Sequence, residues 1–133
     1  MIAVDTTVWV DHLNDTPTPQ VIRLRDIITN GLGLLVVGDL VLCEVLQGLS
    51  NAREAALVER ALRRFTLAAM VNPLLASRSA ANDRALRARG ITVRKTMDML
   101  IGTYCIEHGH ALLHSDRDFD PMETHLGLSV VHP

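Results

Sequence analysis

Five short runs of mostly apolar residues, separated by segments with helical spacing, constrain this chain most strongly. The runs cover residues 1–4, 34–37, 65–71, 111–114 and 128–131. A continuous apolar run of this length is typical of a strand that is buried on both faces. The helical segments between the runs can cover those faces. The pattern therefore predicts an α/β fold with a mainly parallel central sheet of about five strands and helices on both faces.

Size and composition limit the chain to a few classes of protein. Its 133 residues are 48 % apolar, which suits one globular domain over residues 1–133. The longest unbroken apolar run, 67–71, is far shorter than the roughly 20 residues of a membrane-spanning helix. A secretory signal begins with basic residues, and none precedes Asp5. Cys43 and Cys105 lie in apolar stretches typical of buried thiols. We therefore expect a cytoplasmic protein with no membrane association.

Five acidic residues lie at the ends of predicted strands or in helices next to those ends: Asp5, Glu44, Asp98, Asp116 and Asp118. Ligands of a doubly wound sheet bind at the carboxyl ends of its strands, so these five acids can converge there. Each also has an ordinary explanation. Asp5 could cap a helix, Asp98 could complement a helix dipole, and the last two could stabilise a loop.

Glu44 and Asp98 are harder to explain by helix packing alone. Glu44 lies between Cys43 and Val45, with no cation three or four residues away, and Asp98 shares a helix side with Cys105. Burying an unpaired carboxylate is costly, so each needs a partner. Carboxylates gathered without counter-charges are typical of a site for a hard divalent cation such as Mg²⁺ or Mn²⁺. Such a site favours metal-assisted hydrolysis of phosphodiesters.

The basic residues are unevenly distributed, although the net charge is only −2. Twelve of the thirteen are arginine. The segment 78–95 is rich in basic residues, and Asp83 is its one acidic residue. Its candidates for phosphate binding are Arg84, Arg87, Arg89, Arg94 and Lys95. Arginine offers planar, bidentate donors that suit phosphate oxygens. The alternative is that these side chains form a solvated helix face.

The acidic residues and their flanks resemble four motifs of the PIN-domain ribonucleases of the VapC toxin type. The first strand leads into Asp5-Thr6-Thr7-Val8-Trp9, which is similar to the first motif. Glu44 matches the second acidic position, and Asp98 with the following Met-Leu-Ile matches the third. The run 112–119 resembles the fourth, an aspartate-x-aspartate-phenylalanine after a strand. Thr7 departs from the serine or asparagine of many relatives, but it keeps a hydroxyl.

The resemblance implies a Mg²⁺- or Mn²⁺-dependent endoribonuclease, with one or two ions per site. The activity would be that of the toxin of a type II toxin–antitoxin pair, which inhibits translation by cutting tRNA, rRNA or mRNA. Asp5, Glu44, Asp98 and Asp116 would bind metal directly or through water, and Asp118 would support a second ion. Thr6 or Thr7 would orient a carboxylate or a water.

The resemblance also implies two protein partners. One is a second copy of the chain in a homodimer, and the other is a cognate antitoxin that blocks the site. Trp9, on a short predicted helix beside the site, is a candidate for the apolar surface that the antitoxin contacts.

Other functions fit the sequence less well. A catalytically silent PIN fold that only binds a partner is the main alternative, and loss of an acid would favour it. A receiver-like domain needs a lysine after its last strand, but the only lysine is Lys95. A haloacid-dehalogenase-type phosphatase needs an aspartate where Thr7 stands. A zinc site at His108, His110 and His114 is disfavoured, because these residues span a turn and a strand.

Overall fold

The computed structural model describes residues 1–133, the side chain of Leu32 excepted. Its five strands are β1 (Ile2–Val4), β2 (Leu35–Gly38), β3 (Thr66–Ala68), β4 (Ala111–Leu113) and β5 (Ser129–Val130). The α-helices are α1 (Thr6–Leu13), α2 (Pro19–Asn30), α3 (Asp39–Gln47), α4 (Ala52–Leu62), α5 (Pro73–Ala88), α6 (Thr96–His108) and α7 (Asp120–Leu126). Two short 3-10 helices, Leu32–Leu34 and Arg117–Phe119, precede β2 and α7.

The five strands form one sheet in the order β3-β2-β1-β4-β5. Every neighbouring pair is parallel, and Ala3 of the central strand pairs with Val36 on one side and Leu112 on the other. The chain runs outward from β1 to β3, then crosses back to β4 on the opposite side of β1. The predicted parallel α/β fold with a central sheet of five strands is therefore confirmed.

The helices form two groups that cover opposite faces of the sheet. Contacts join α1 to α2 and α3, and α3 to α4, while α5 contacts α6 and α7. Crossovers between parallel strands are right-handed. The chain crosses the sheet in one direction from β1 to β3 and in the opposite direction from β3 to β5, so α5, α6 and α7 lie on the face opposite to α1–α4. Between the layers lie fully buried side chains that include Trp9, Leu24, Leu35, Leu112 and Phe119. Among the described residues, no helix combines the length and apolarity needed to cross a bilayer.

Local sequence explains where several helices begin. The Thr18 hydroxyl accepts a hydrogen bond from the Val21 N–H, and the side chains of Asn51 and Asn72 cap α4 and α5 in the same way. Asp39 does not cap α3, whose N-cap is Gly38. Asp39 is already helical, and its carboxylate instead accepts a hydrogen bond from the Met70 N–H, 3.1 Å away, where the chain leaves β3.

Two expectations about exposure are wrong. Cys43 is exposed, because it lies on the outer side of α3, whereas Cys105 is buried as expected. Trp9 is only 2 % exposed and packs against Phe65, with 5.4 Å between ring centroids. The Trp9 ring is therefore part of the core and is not an exposed partner surface.

Gly102 allows α6 to approach α7 closely. A Cβ atom added at this position would lie 2.2 Å from the Met122 Sδ atom, and Met122 is fully buried. Any larger side chain at this point of α6 would therefore separate the two helices or displace the methionine.

Candidate functional site

The carboxyl ends of β1 and β4 lie side by side at the centre of the sheet. Asp5 directly follows β1, and Asp116 and Asp118 follow β4 in the segment that leads to α7. From β1 the chain continues to β2 on one side, whereas β4 pairs with β1 on the other. This is the topological switch point at which open parallel sheets bind their ligands.

Asp98 joins the two acids that follow β4. It lies in the first turn of α6. Asp98, Asp116 and Asp118 each offer an oxygen, and the three oxygens lie within 4.8 Å of one another. Asp98 is 5 % exposed, and its buried Oδ2 atom has no hydrogen-bond partner among the described groups. This is the acidic cluster of the structure.

Asp5 lies beside the acidic cluster in an environment that opposes its ionisation. It is 4 % exposed, and its side chain makes no capping hydrogen bond to α1, so helix capping does not explain it. Burial raises the pKa of Asp5 to about 7, with further contributions from the charges of Asp98, Glu44 and Asp116. The nearby backbone N–H of Thr6 lowers the pKa of Asp5 and partly offsets this rise.

The pKa of Asp98 is raised to about 6 for similar reasons. Burial is the main cause, and the negative charge of Asp116 is the next. The Lys95 ammonium acts in the opposite direction, which places one cation at the border of the acidic cluster. The site thus holds several carboxylates at distances where they repel each other, with little positive charge to compensate.

Glu44 faces this group from α3 and is fixed by a threonine of α1. The Thr6 hydroxyl donates a hydrogen bond of 2.7 Å to the Glu44 Oε1 atom, and both side chains are half-buried. Thr7 points to solvent and makes no such bond. Of the two threonines considered from the sequence, Thr6 is the one that orients a carboxylate.

Hydrogen bonds between side chains and backbone fix the segment that carries Asp116 and Asp118. The Asp116 Oδ1 atom accepts a bond of 2.9 Å from the Asp118 N–H, so this carboxylate does stabilise its loop. The His114 Nδ1 atom accepts a bond of 3.2 Å from the Asp116 N–H. Burial lowers the pKa of the His114 imidazole, and the ring packs against Phe119 at 4.9 Å.

The donor set fits a divalent cation. All the candidate ligand atoms are carboxylate oxygens, which suit hard cations such as Mg²⁺ and Mn²⁺. The unpartnered Oδ2 of Asp98 is the kind of buried polar atom that a ligand satisfies. Burial is the main cause of the raised pKa values of Asp5 and Asp98, and a cation would remove the charge repulsion that adds to it.

The basic residues divide into two groups by position. Arg94 and Lys95 border the acidic cluster, and the Arg94 Nε atom lies 3.8 Å from the Asp118 Oδ2 atom although its side chain is 83 % exposed. Three others are exposed along α5 and at its C-terminal end: Arg84, Arg87 and Arg89. Arg87 forms an ion pair with Asp83 one turn earlier, at 2.9 Å.

Two further residues near the acids were missing from the sequence-based set. Gln20 and Arg117 line a cleft of about 220 Å³ together with Asp116 and the C-terminal residues. Arg117 could have been found, because it stands between Asp116 and Asp118 in the sequence. Gln20 carries no local signal, since only the packing of α2 brings it to this edge of the sheet.

Comparisons with known proteins match this fold. The family model of the PIN domain matches residues 2–123. Ribonuclease VapC11 of Mycobacterium tuberculosis is 29 % identical over 121 residues, which cover 90 % of each chain.

Two solved structures have a similar fold. VapBC2 from Rickettsia felis, bound to a DNA fragment from its promoter, superposes with a TM-score of 0.75 at 18 % identity, and the match covers 98 % of each chain. A toxin–antitoxin complex from Klebsiella pneumoniae gives a TM-score of 0.72 at 17 % identity, covering 100 % of this chain and 98 % of that one. The family match spans nearly the whole sheet and its helices, from β1 into α7. The chain therefore belongs to the PIN-domain family.

Proposed function

We propose that this chain is a divalent-metal-dependent endoribonuclease and the toxin of a toxin–antitoxin pair. The observation that carries the proposal is the acidic cluster, whose three oxygens lie within 4.8 Å of one another at the switch point of a PIN fold. Asp5 and Glu44 extend this charge on the side of β1. The relative named ribonuclease VapC11 supports the choice of RNA as substrate.

Asp98, Asp116 and Asp118 are the residues that would hold a cation, with Asp5 and Glu44 contributing directly or through water. Mg²⁺ or Mn²⁺, when bound, supplies Lewis-acid chemistry that acidifies water and neutralises charge on phosphate oxygens. Thr6 keeps Glu44 oriented through its hydrogen bond. The buried position of Asp5 excludes bulk water from that side of the site and strengthens its electrostatic interactions.

The exposed cations flank the acids in a way that suits a phosphate backbone. Lys95 and Arg94 lie beside the acidic cluster, and Arg117 lies between Asp116 and Asp118 of that cluster. These groups would hold phosphates next to the bond that is cut. The arginines along α5 would extend the contact to phosphates farther from that bond.

The proposal includes a cognate antitoxin and a second copy of the chain as partners in the cytoplasm. The solved relative described as a toxin–antitoxin complex supports the first. Large apolar side chains remain exposed and offer surface for such contacts: Leu57, Leu67, Val71 and Leu74. Because Trp9 is buried, the contact surface is proposed to consist of exposed residues of this kind.

RNA cleavage by the purified protein tests the catalytic proposal. We expect cleavage with Mg²⁺ or Mn²⁺ and none in EDTA. Asp98→Asn should lower the rate at least ~100-fold, as typically follows the loss of one charge-stabilising group. Asp11→Asn is the matched control, because Asp11 is a half-buried carboxylate on α1 outside the acidic cluster. Full activity in EDTA, or an Asp98→Asn variant as active as the Asp11→Asn control, would contradict the proposal.

A further inference from the structure

His114 occupies the position between β4 and the acids that follow it. It is 9 % exposed, and its ring packs against the fully buried Phe119. A buried side chain at a strand end is ordinarily apolar, and Leu112 and Leu113 before it are fully buried. A histidine at this point therefore calls for a reason beyond packing.

The hydrogen bonds of the ring define its protonation. The Nδ1 atom accepts a bond from the Asp116 N–H, so it carries no proton. In the neutral ring the proton then resides on Nε2, and this buried atom has no partner among the described groups. The arrangement leaves one end of the ring unsatisfied while the other end holds the backbone of Asp116. Leucine would fill a similar space without an unsatisfied Nε2–H, but it could not accept the bond from the Asp116 N–H.

Two successive hydrogen bonds of the same kind connect His114 to the acidic cluster. His114 accepts from the N–H two residues ahead, and Asp116 in turn accepts from the Asp118 N–H two residues farther. The first bond fixes the backbone that carries one carboxylate of the cluster, and the second fixes the backbone that carries another. The side-chain oxygens of both residues lie in the group within 4.8 Å of Asp98.

We infer that His114 is a positioning residue that holds the loop of Asp116 and Asp118 in the geometry that binds the cation. The inference rests on the proposed function, because it concerns the same site. His114 does not itself contact the cation; it acts through the Asp116 N–H. Supporting groups of this kind typically change metal affinity 10- to 100-fold when they are removed.

Two substitutions separate positioning from packing. His114→Leu keeps an apolar body of similar size but removes the acceptor. His114→Asn removes most of the packing against Phe119, yet its Oδ1 atom is the same number of bonds from the backbone as Nδ1 and can accept from Asp116. We expect His114→Leu to bind Mn²⁺ 10- to 100-fold more weakly by calorimetry and to lose kcat to a similar extent. We expect His114→Asn to stay within about 3-fold of the parent.

The stability of the two variants should run in the opposite order. His114→Leu removes the unsatisfied Nε2–H but leaves the Asp116 N–H without its acceptor, and it keeps the packing against Phe119, so it should melt close to the temperature of the parent. His114→Asn loses that packing and should melt lower. A Mn²⁺ affinity that follows melting temperature, or that is the same in His114→Leu and parent, overturns this inference alone. A parent that binds no Mn²⁺ overturns the proposed function and this inference with it.

A third measurement uses the metal-free parent alone, so it does not depend on whether a variant folds. The ¹⁵N spectrum of the imidazole in the metal-free parent should show the proton of His114 on Nε2. A proton on Nδ1 would mean that the bond to the Asp116 N–H is not made, and it would overturn the inference whatever the activity of the protein.

Discussion

Replacing Asp5 by asparagine should stabilise the metal-free protein at alkaline pH and leave it unchanged in acid. The pKa of Asp5 is raised from 3.8 to about 7 in the folded protein. Between these values the native state binds more protons than the unfolded state, so the free energy of unfolding falls as pH rises. Asparagine keeps the shape of the side chain and has no proton to lose. The difference between variant and parent should therefore be near zero at pH 4 and largest above pH 7.

The magnitude follows from the size of the shift. About three pKa units at 1.36 kcal/mol each correspond to about 4 kcal/mol once Asp5 is fully ionised. For a chain of this length, 1 kcal/mol changes the melting temperature by about 3 °C. Asp5→Asn should then melt about 10 °C higher than the parent at pH 8 in EDTA. Added Mn²⁺ should reduce this difference, because it stabilises the parent by binding its native state.

Thermal unfolding followed by circular dichroism in EDTA, from pH 4 to pH 8, is the measurement. Asp11→Asn serves as the control for the same chemical change outside the acidic cluster, and its melting curve should follow that of the parent at every pH. If Asp5→Asn is less stable than the parent at pH 8, the carboxylate is held by favourable partners, and the argument from burial and like charge is refuted.

Two further predictions concern the proposed phosphate contacts and the helix packing. Three arginines of α5 and its end are replaced together by alanine: Arg84, Arg87 and Arg89. Measured at several salt concentrations, the triple variant should show a higher KM for RNA and a weaker salt dependence, because fewer counterions are released on binding. A KM that is unchanged at every salt concentration would place these residues on a solvated face. Gly102→Ala should destabilise the protein by about 1–3 kcal/mol in urea unfolding, because its Cβ would collide with Met122. The same substitution made in a Met122→Ala chain should cost less, because the colliding side chain is then absent.

The sequence predicts the fold well because buried parallel strands leave a strong local signal. The boundaries of β1, β2 and β4 differ by one residue or so from the apolar runs that predicted them. The run 65–71 yields only Thr66–Ala68, because β3 is an edge strand and the chain turns away where the Met70 N–H bonds to Asp39. An apolar run favours a strand, but it shows neither how many residues pair with a neighbouring strand nor whether they are buried, since Leu67 and Val71 of this run are exposed.

The candidate site was predicted less completely than the fold, for a physical reason. Carboxylates without local counter-charges can be recognised from spacing, and Asp98 is brought to Asp116 and Asp118 as expected. The choice between Thr6 and Thr7 depends on the rotation of α1 against α3, which spacing does not specify. The roles of Trp9 and His114 likewise depend on which side chains the other helices place against them.

The strand order β3-β2-β1-β4-β5 determines when the site can exist during synthesis. The ribosome releases β1 first, and Asp5 and Glu44 emerge with the half of the sheet that lies on one side of it. The other acids are carried by α6 and by the segment after β4, near the C-terminal end of the sequence. A growing chain therefore lacks a complete set of carboxylates until the segment after β4 has emerged, and the part of the sheet made earlier carries only Asp5 and Glu44.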